Sequence, residues 1–299
     1  MYYVRHSRSC VCLVLLVVLL IAATYAKSDE EAMELPSEET WLQKLELPKF
    51  SLYETVSNVY LSRGRRSLDG WVREDSLYGE WYGFHAGVWS YSDLEGKTYR
   101  ADGHRRHGEP LEWDYYFGYG YRFGGDWPVV KSVKLTLRYN YYDECGNPRS
   151  DSEDIRVLIN TNSYIKTELQ WRYTTKIDRN LFRFRLSKSF ELSRNWSLYN
   201  MAEVWFGDAK MNGVACPGGW RRAREYKRQG NPLGDSFKNA IYSFVYTIGL
   251  DYKFNANCSF GPYAAAAWAL DHDIREGWKA RTHCNAFNSS AGCVLKLRF

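Results

Sequence analysis

Beyond its N-terminus the sequence has no apolar run of about 20 residues, and that absence excludes a bundle of transmembrane helices. It has no Cys-x-x-C pair, which argues against a structural zinc site. Charge of one sign is also scarce. Lys and Arg number 40 against 35 Asp and Glu, a net charge of +5 in 299 residues, too small a bias for a nucleic-acid binder. What is present is aromatic. Phe, Trp and Tyr make up 17% of the chain, with 24 Tyr and 12 Trp, while charged residues reach 25%. Hydrophobic residues at 45% exclude a disordered polymer, and so aromatic yet polar a chain does not read as an ordinary globular enzyme.

The N-terminus has the pattern of a secretory leader. Arg5 and Arg8 precede an apolar stretch from Val11 to Ala23, which ends in Ala22-Ala23-Thr24-Tyr25-Ala26 before the polar Lys27-Ser28-Asp29. A helix of that length is too short for about 30 Å of hydrocarbon, so residues 1–26 are expected to be cleaved. Losing Arg5 and Arg8 leaves 38 basic residues against 35 acidic, a net of +3. Residues 27–49 form an acidic segment, expected in the periplasm with a short helix around Glu38–Leu45, and residues 50–299 carry the fold.

From Pro110 onward the dominant pattern is alternation with a period of two, which sends successive side chains to opposite faces of a sheet. In Leu111–Phe123, the residues Leu111, Trp113, Tyr115, Phe117, Tyr119, Tyr121 and Phe123 share one face. Val133–Tyr141, Ile155–Asn160, Ile165–Tyr173, Phe182–Ser187, Tyr242–Phe254 and Cys293–Phe299 repeat the pattern, with Tyr242 on the face of Phe244 and Tyr246. Weaker segments at Phe50–Ser62, Trp71–Trp81, Phe84–Tyr91, Asn195–Phe206 and Ser259–Leu270 bring the count to about twelve. Many exceed the roughly five or six residues of a soluble strand, and aromatics gather toward their ends, as in the girdles of a membrane barrel. The expected fold is all-β, a transmembrane antiparallel up-and-down barrel with both termini on one side.

Connection lengths support this expectation. Short connections at Tyr82-Gly83, Gly124–Pro128, Asn160–Ser163, Ser193–Asn195 and Asn255–Asn257 alternate with long ones around Asp93–Glu109, Asp143–Asp151, Gly207–Ser236 and Asp271–Ser290. Two features break the rule. Asp178-Arg179-Asn180 is a tight turn where a long loop is due, and Lys188 falls on a face that should be apolar. Arg65–Asp69 reads as a basic loop between the first two strands.

The segments Ser57-Asn58-Val59-Tyr60-Leu61-Ser62-Arg63-Gly64 and Tyr82-Gly83-Phe84-His85-Ala86-Gly87-Val88-Trp89-Ser90 resemble the TorF family of outer-membrane porins. The resemblance covers about residues 55–93, with His85 in place of an aromatic and Tyr91 in place of an Asn. It implies a signal-bearing barrel in the bacterial outer membrane, with pore formation. The terminal Leu295, Leu297 and Phe299 resemble the C-terminal signal of bacterial outer-membrane proteins, which implies the barrel-assembly machinery as a transient partner. Membrane lipid and lipopolysaccharide are the expected surroundings.

If lipid faces the apolar set, the opposite set lines the lumen. Lys134, Arg138, Arg156, Lys166, Arg172, Arg183 and Arg185 then form a basic wall opposed locally mainly by Glu168, with Lys296 and Arg298 on the last strand. Such a wall raises the local concentration of anions, so the expectation is a weakly anion-selective channel for small hydrophilic solutes. The facing of Glu54, Glu74 and Glu80 is open. The alternatives are a barrel filled by paired charges, serving structure or surface binding, and a hydrolase with Asp271-His272-Asp273 at one rim. The basic run His104-Arg105-Arg106-His107 is a candidate contact for phosphate or lipopolysaccharide, or for a metal through its two His, and Trp220–Arg228 is a candidate constriction or glycolipid contact. Gly118, Gly120, Gly124 and Gly125 lie within and just after a strand, not in a nucleotide loop, and no cofactor is expected. Of the mature cysteines, a disulfide among Cys216, Cys284 and Cys293 is allowed, with Cys145 and Cys258 remaining.

Overall fold

The computed structural model describes residues 47–99, 105–124, 130–145, 152–281 and 284–299. The leader, the acidic segment up to residue 46 with its expected helix, the turn residues 125–128 and His104 lie outside these. Twelve strands are found among the described residues: β1 (Lys49–Ser62), β2 (Arg65–Trp81), β3 (Phe84–Asp93), β4 (Pro110–Gly124), β5 (Val130–Asp143), β6 (Ser152–Ser163), β7 (Lys166–Thr174), β8 (Arg179–Glu191), β9 (Trp196–Gly207), β10 (Ala240–Lys253), β11 (Cys258–Trp268) and β12 (Phe287–Arg298). Each is antiparallel to its neighbours, and β12 pairs with β1, so the sheet is a closed barrel. Reciprocal backbone hydrogen bonds between Phe50 and Phe299, 3.1 and 3.0 Å, complete the seam between the first and last strands.

Closure leaves the sheet no edge, and alternation then decides what each side meets. The outer face exposes large apolar side chains on every side, among them Phe117 at 61%, Phe84, Leu169, Phe184, Ile248 and Phe260. Such a surface is stable only against hydrocarbon. Trp71 and Trp81 stand ten residues apart on the outer side of β2. At about 3.3 Å per residue and a tilt near 40°, they bracket a band about 25 Å tall. Leu295 and Leu297 lie on this outer face, opposite Glu54 and Leu52, and Phe299 ends the strand. Lys188 is also outward, but its Nζ lies 3.2 Å from the centre of the Tyr164 ring in the β6–β7 turn, so the ammonium reaches the aromatic girdle. Glu54, Arg73 and Asp75 face outward inside the band, where a lone charge at midplane costs about 2–4 kcal/mol.

Two corrections to the sequence reading concern the long-loop end. Arg65–Asp69 belongs to β2, not to a loop, and the first connection is the two-residue turn Arg63-Gly64 with φ of 53° and 82°. The positive φ pair is the hairpin turn whose twist matches the strands. This hairpin tip bends into the barrel onto β10, β11 and β12. Ser243 Oγ donates to the Arg63 carbonyl at 2.7 Å, Asn288 Nδ2 to that of Gly64 at 3.2 Å, and Ser290 Oγ to that of Val59 at 2.9 Å. A Cβ on Gly64 would lie 3.0 Å from the Ala267 methyl, so glycine permits the close approach. The second correction is Tyr242, expected outside. A register shift between Ile241 and Ser243 turns it inward, and it is 1% exposed.

Helices complete the cover. The connection after β9 holds α1 (Ala209–Gly213), α2 (Gly219–Arg228) and a 3-10 turn (Pro232–Gly234), and the one after β11 holds α3 (His272–Lys279). Asp208 caps α1, and the buried Asn212 donates to the carbonyls of Gly207 at 2.8 Å and Lys238 at 2.7 Å. Beneath them Leu181, Trp205, Met211, Tyr242, Val245, Ala267, Ile274, Trp278 and Cys284 form one apolar cluster inside the barrel mouth. Tyr242 and Trp278 meet edge to face at 5.5 Å. The five described cysteines are free: Cys216 and Cys284 are buried in this cover, whereas Cys293 lies on the outer face of β12, opposite Pro262 and Val56. Replacing the fully buried Trp278 with Ala removes the centre of the cluster, a loss of about 3–5 kcal/mol. The expected outcome is rapid protease cleavage within residues 269–286, while the barrel keeps its folded mobility on unheated gels.

Candidate functional site

The barrel encloses a polar chamber of about 740 Å³ below the hairpin tip and the helical cover, with Val214 in its roof. That volume is in the range that holds one small ligand. Register places the basic residues named above on the interior side. Lys134, Arg138, Arg156, Arg172, Arg183 and Arg185 alternate with outward Leu135, Leu137, Val157, Trp171 and Phe184 along β5 to β8. Lys166 and Arg298 lie on the same side near the short-turn end, and Lys296 pairs with Asp251 at 2.9 Å.

The wall is not opposed by Glu168 alone, which corrects the expected charge balance. Asp154, wholly buried, accepts from Arg156 Nε at 2.9 Å, from Asn140 Nδ2 at 2.9 Å and from the Tyr142 hydroxyl, and is ion-paired with Arg172. Arg183 bonds Glu168 and lies 3.4 Å from Glu203, while Arg185 Nε donates to Glu203 at 2.6 Å. Lys134 Nζ donates to Glu80 at 2.7 Å, and Glu80 also takes the Tyr78 hydroxyl at 2.6 Å. Aromatic rings pack against the guanidinium groups: Arg138 Cζ lies 4.9 Å from the Tyr116 ring centre, Arg172 4.8 Å from that of Tyr142 and Arg183 5.0 Å from that of Trp205. These networks make the β5–β9 wall rigid and reduce its excess charge.

Facing it is a second wall of opposite sign. Glu74 on β2, with Glu112 and Asp114 on β4, line the other side of the chamber, alongside Tyr60 and Tyr91 stacked at 4.4 Å. From above, the inturned hairpin adds Arg63 and Arg65, and Arg179 comes from the start of β8. Among the described residues, the lining therefore holds eight arginines against four carboxylates, with Asp154, Glu168 and Glu203 compensating part of the difference. Sequence reasoning missed Arg63, Arg65, Arg179 and Tyr142 as lining groups, and Asp154 as the carboxylate that Arg156 and Arg172 share. A signal for the hairpin was available. The inner positions of β10 to β12 near the long-loop end are Ser243, Ala265, Ala267, Ser290 and Gly292, too small to fill their side of a barrel, so another segment must.

The other candidates have structural work. Asp271 Oδ1 caps α3, accepting from the backbone N–H of Asp273 at 2.9 Å and of Ile274 at 3.2 Å, and its other oxygen is 3.0 Å from Lys238 Nζ. Asp273 pairs with Lys238 as well, and His272 is 74% exposed beside it. These contacts tie two loops together. Arg106 donates to the Cys145 carbonyl, and Arg105 lies over Tyr99, so this run joins the loops after β3 and β5. The Trp220–Arg228 run is α2, lying with exposed Arg221, Arg222, Arg224, Lys227 and Arg228 on the cover and not in a constriction.

Two outcomes follow. Asp154→Asn leaves Arg156 and Arg172 buried without their carboxylate, and breaking such a pair costs about 3–5 kcal/mol, so the temperature at which the barrel loses its folded gel mobility falls. The hydrogen bond from Lys238 holds Asp273 below the usual carboxylate range. Its stabilisation is therefore present above the unfolded value of about 3.9 and lost as pH falls through the lower folded value. Protease cleavage between β11 and β12 should rise on acidification below about pH 4, and Lys238→Met should remove that dependence.

The chain matches no protein-family model and no curated protein. Among solved structures it is similar to the KdgM porin, at 8% identity over 84% of this chain and 98% of that one, with a TM-score of 0.40. It is also similar to the NanC porin, at 11% identity over 82% and 98%, with a TM-score of 0.45. Outer membrane phospholipase A from Escherichia coli is a third, at 8% identity over 83% and 92%, with a TM-score of 0.45.

Proposed function

We propose that the chain is a porin-like channel of the bacterial outer membrane, passing small hydrophilic solutes by diffusion with a weak preference for anions. The observation that carries this reading is the arginine-rich polar chamber inside a closed barrel whose outer face is apolar. A filled structural barrel needs no such space, and twelve strands lie between the eight that side chains fill and the sixteen that leave a wide aqueous pore. The helical cover and hairpin roof the chamber on the β8–β12 side, and Tyr91, Glu112, Glu144 and Ser152 line it on the other. The end of the barrel that carries Phe50 and Phe299 would then face the periplasm, and the cover would face outward.

The opposed walls make the preference weak. Glu74, Glu112 and Asp114 attract cations on one side, while Arg63, Arg138, Arg172 and Arg179 hold anions on the other. Arg63 matters most among the groups added by the hairpin, because it projects from the roof and not from the wall networks. The surroundings remain lipid and lipopolysaccharide, the assembly signal of Leu295, Leu297 and Phe299 would engage the barrel-assembly machinery, and the TorF-like segments supply the turn Arg63-Gly64 that shapes the chamber.

The test is single-channel conductance of the refolded mature protein in a planar bilayer under a salt gradient. Discrete steps with an anion-side reversal potential are expected. Neutralising both roof and rim groups, Arg63→Gln with Arg179→Gln, should move the reversal potential toward the cation side, and Arg63→Lys should not. A folded barrel without conductance would leave the structural or surface-binding reading.

A further inference from the structure

On its outer face, β1 and β2 carry Glu54, Arg73 and Asp75 within the band that Trp71 and Trp81 bracket, and we infer that this face is the contact between two copies of the chain in the membrane. The inference rests on the reading that the barrel is inserted in a bilayer, not on what it conducts. Arg73 Nε lies 3.1 Å from Glu54 Oε1 and 3.0 Å from Asp75 Oδ1. One cation thus serves two anions, and the three side chains remain 47%, 38% and 33% exposed on a surface that hydrocarbon would otherwise cover. Lys188, also outward, reaches the girdle through Tyr164. Arg73 instead turns its guanidinium to Glu54 and Asp75. Arg73 and Asp75 stand two and four residues in from Trp71, and Glu54 and Asp75 are directly opposite each other across the strands. Charged groups at that depth are retained in membranes where protein, not lipid, faces them.

The surroundings of the cluster are unlike the rest of the outer face. Ser92 and Ser90 on β3 stand opposite Arg73 and Asp75. On the other side, Cys293, Ala291 and Ser289 of β12 continue into Ala264 and Ala266 of β11. At the same level β4, β7 and β8 present Phe117, Leu169 and Phe184. Between Trp71 on one side and Leu77 and Leu295 on the other, the small side chains around the cluster let another backbone approach closely, as small residues do between membrane helices. The charge pattern selects the occupant. A two-fold axis along the membrane normal sets Arg73 of each copy against Asp75 and Glu54 of the other, so each anion gains a cation partner and the contact is isologous. The net negative charge and the depth below the girdle both disfavour the phosphates of a lipid headgroup.

The full mature chain, carrying one fluorophore on its N-terminal amine, is reconstituted at low density in liposomes, and bleaching steps are counted per particle. Two-step particles in excess of random co-occupancy are expected. Arg73→Glu should return the count to the random level, and mixing it with a Glu54→Lys, Asp75→Lys chain should restore pairs that neither forms alone. Combining Glu54→Leu, Arg73→Leu and Asp75→Leu should also abolish pairing with single-barrel conductance unchanged. One-step bleaching by the unaltered chain, together with a higher unfolding temperature for the triple leucine chain, would overturn the proposal and make this face lipid-exposed. Pairing insensitive to Arg73→Glu would overturn it equally. A barrel that inserts and pairs but does not conduct would overturn the channel reading alone.

Discussion

The backbone of a membrane-spanning sheet finds no hydrogen-bonding partner in hydrocarbon, so every strand must be paired on both sides. In this chain that requirement is met by the pairing of β1 with β12 and by the reciprocal bonds of Phe50 and Phe299. All else depends on that closure. Once no edge remains, side chains have two destinations, and a period of two assigns them alternately to lipid and lumen. The outward aromatic rows and the inward arginines and carboxylates are the two halves of one pattern.

A closed barrel of this size creates a second problem, since its interior is too wide to be filled by one layer of side chains and too narrow to stay unorganised. The solution differs around the circumference. On β5 to β9, long charged side chains fill the space and compensate one another, with Asp154, Glu168 and Glu203 placed among the arginines. On β10 to β12 the inner residues are small, and the β1–β2 hairpin and an apolar cluster under the helices occupy the room they leave. The chamber is what remains between the two arrangements. Its electrostatics therefore come from segments distant in sequence: Arg63 from a turn, Arg179 from a strand start, and Glu74 and Asp114 from the opposite wall.

Much of this was legible from the chain as written. The alternation expected for Leu111–Phe123 recurs in the register of β4 from Glu112 onward, and Arg138, Arg156, Arg172 and Arg183 alternate with apolar neighbours along their strands as the sequence suggests. The failures have specific physical causes. Tyr242 belongs by parity with Phe244, but one bulge residue shifts the phase and carries the ring indoors, and nothing in the local sequence announces the bulge. Arg65–Asp69 looks like a loop because its composition is basic and polar, yet it pairs as strand, since its partners are the polar interior and the other arm of the hairpin. Asp154 was overlooked because it precedes the alternating run of Ile155, Val157 and Ile159.

By itself, then, the sequence indicated an all-β antiparallel barrel of about twelve strands and which face of most strands meets lipid, and the structure fixed the count at twelve among the described residues. Those indications follow from short-range periodicity and turn chemistry, which each segment carries within itself. Only the tertiary structure decided the inward bend of the hairpin, the inward Tyr242, the sharing of Asp154 between Arg156 and Arg172, and the capping role of Asp271. Each of these depends on the space and the partners that other strands supply, and a barrel interior is defined only when its last strand meets its first.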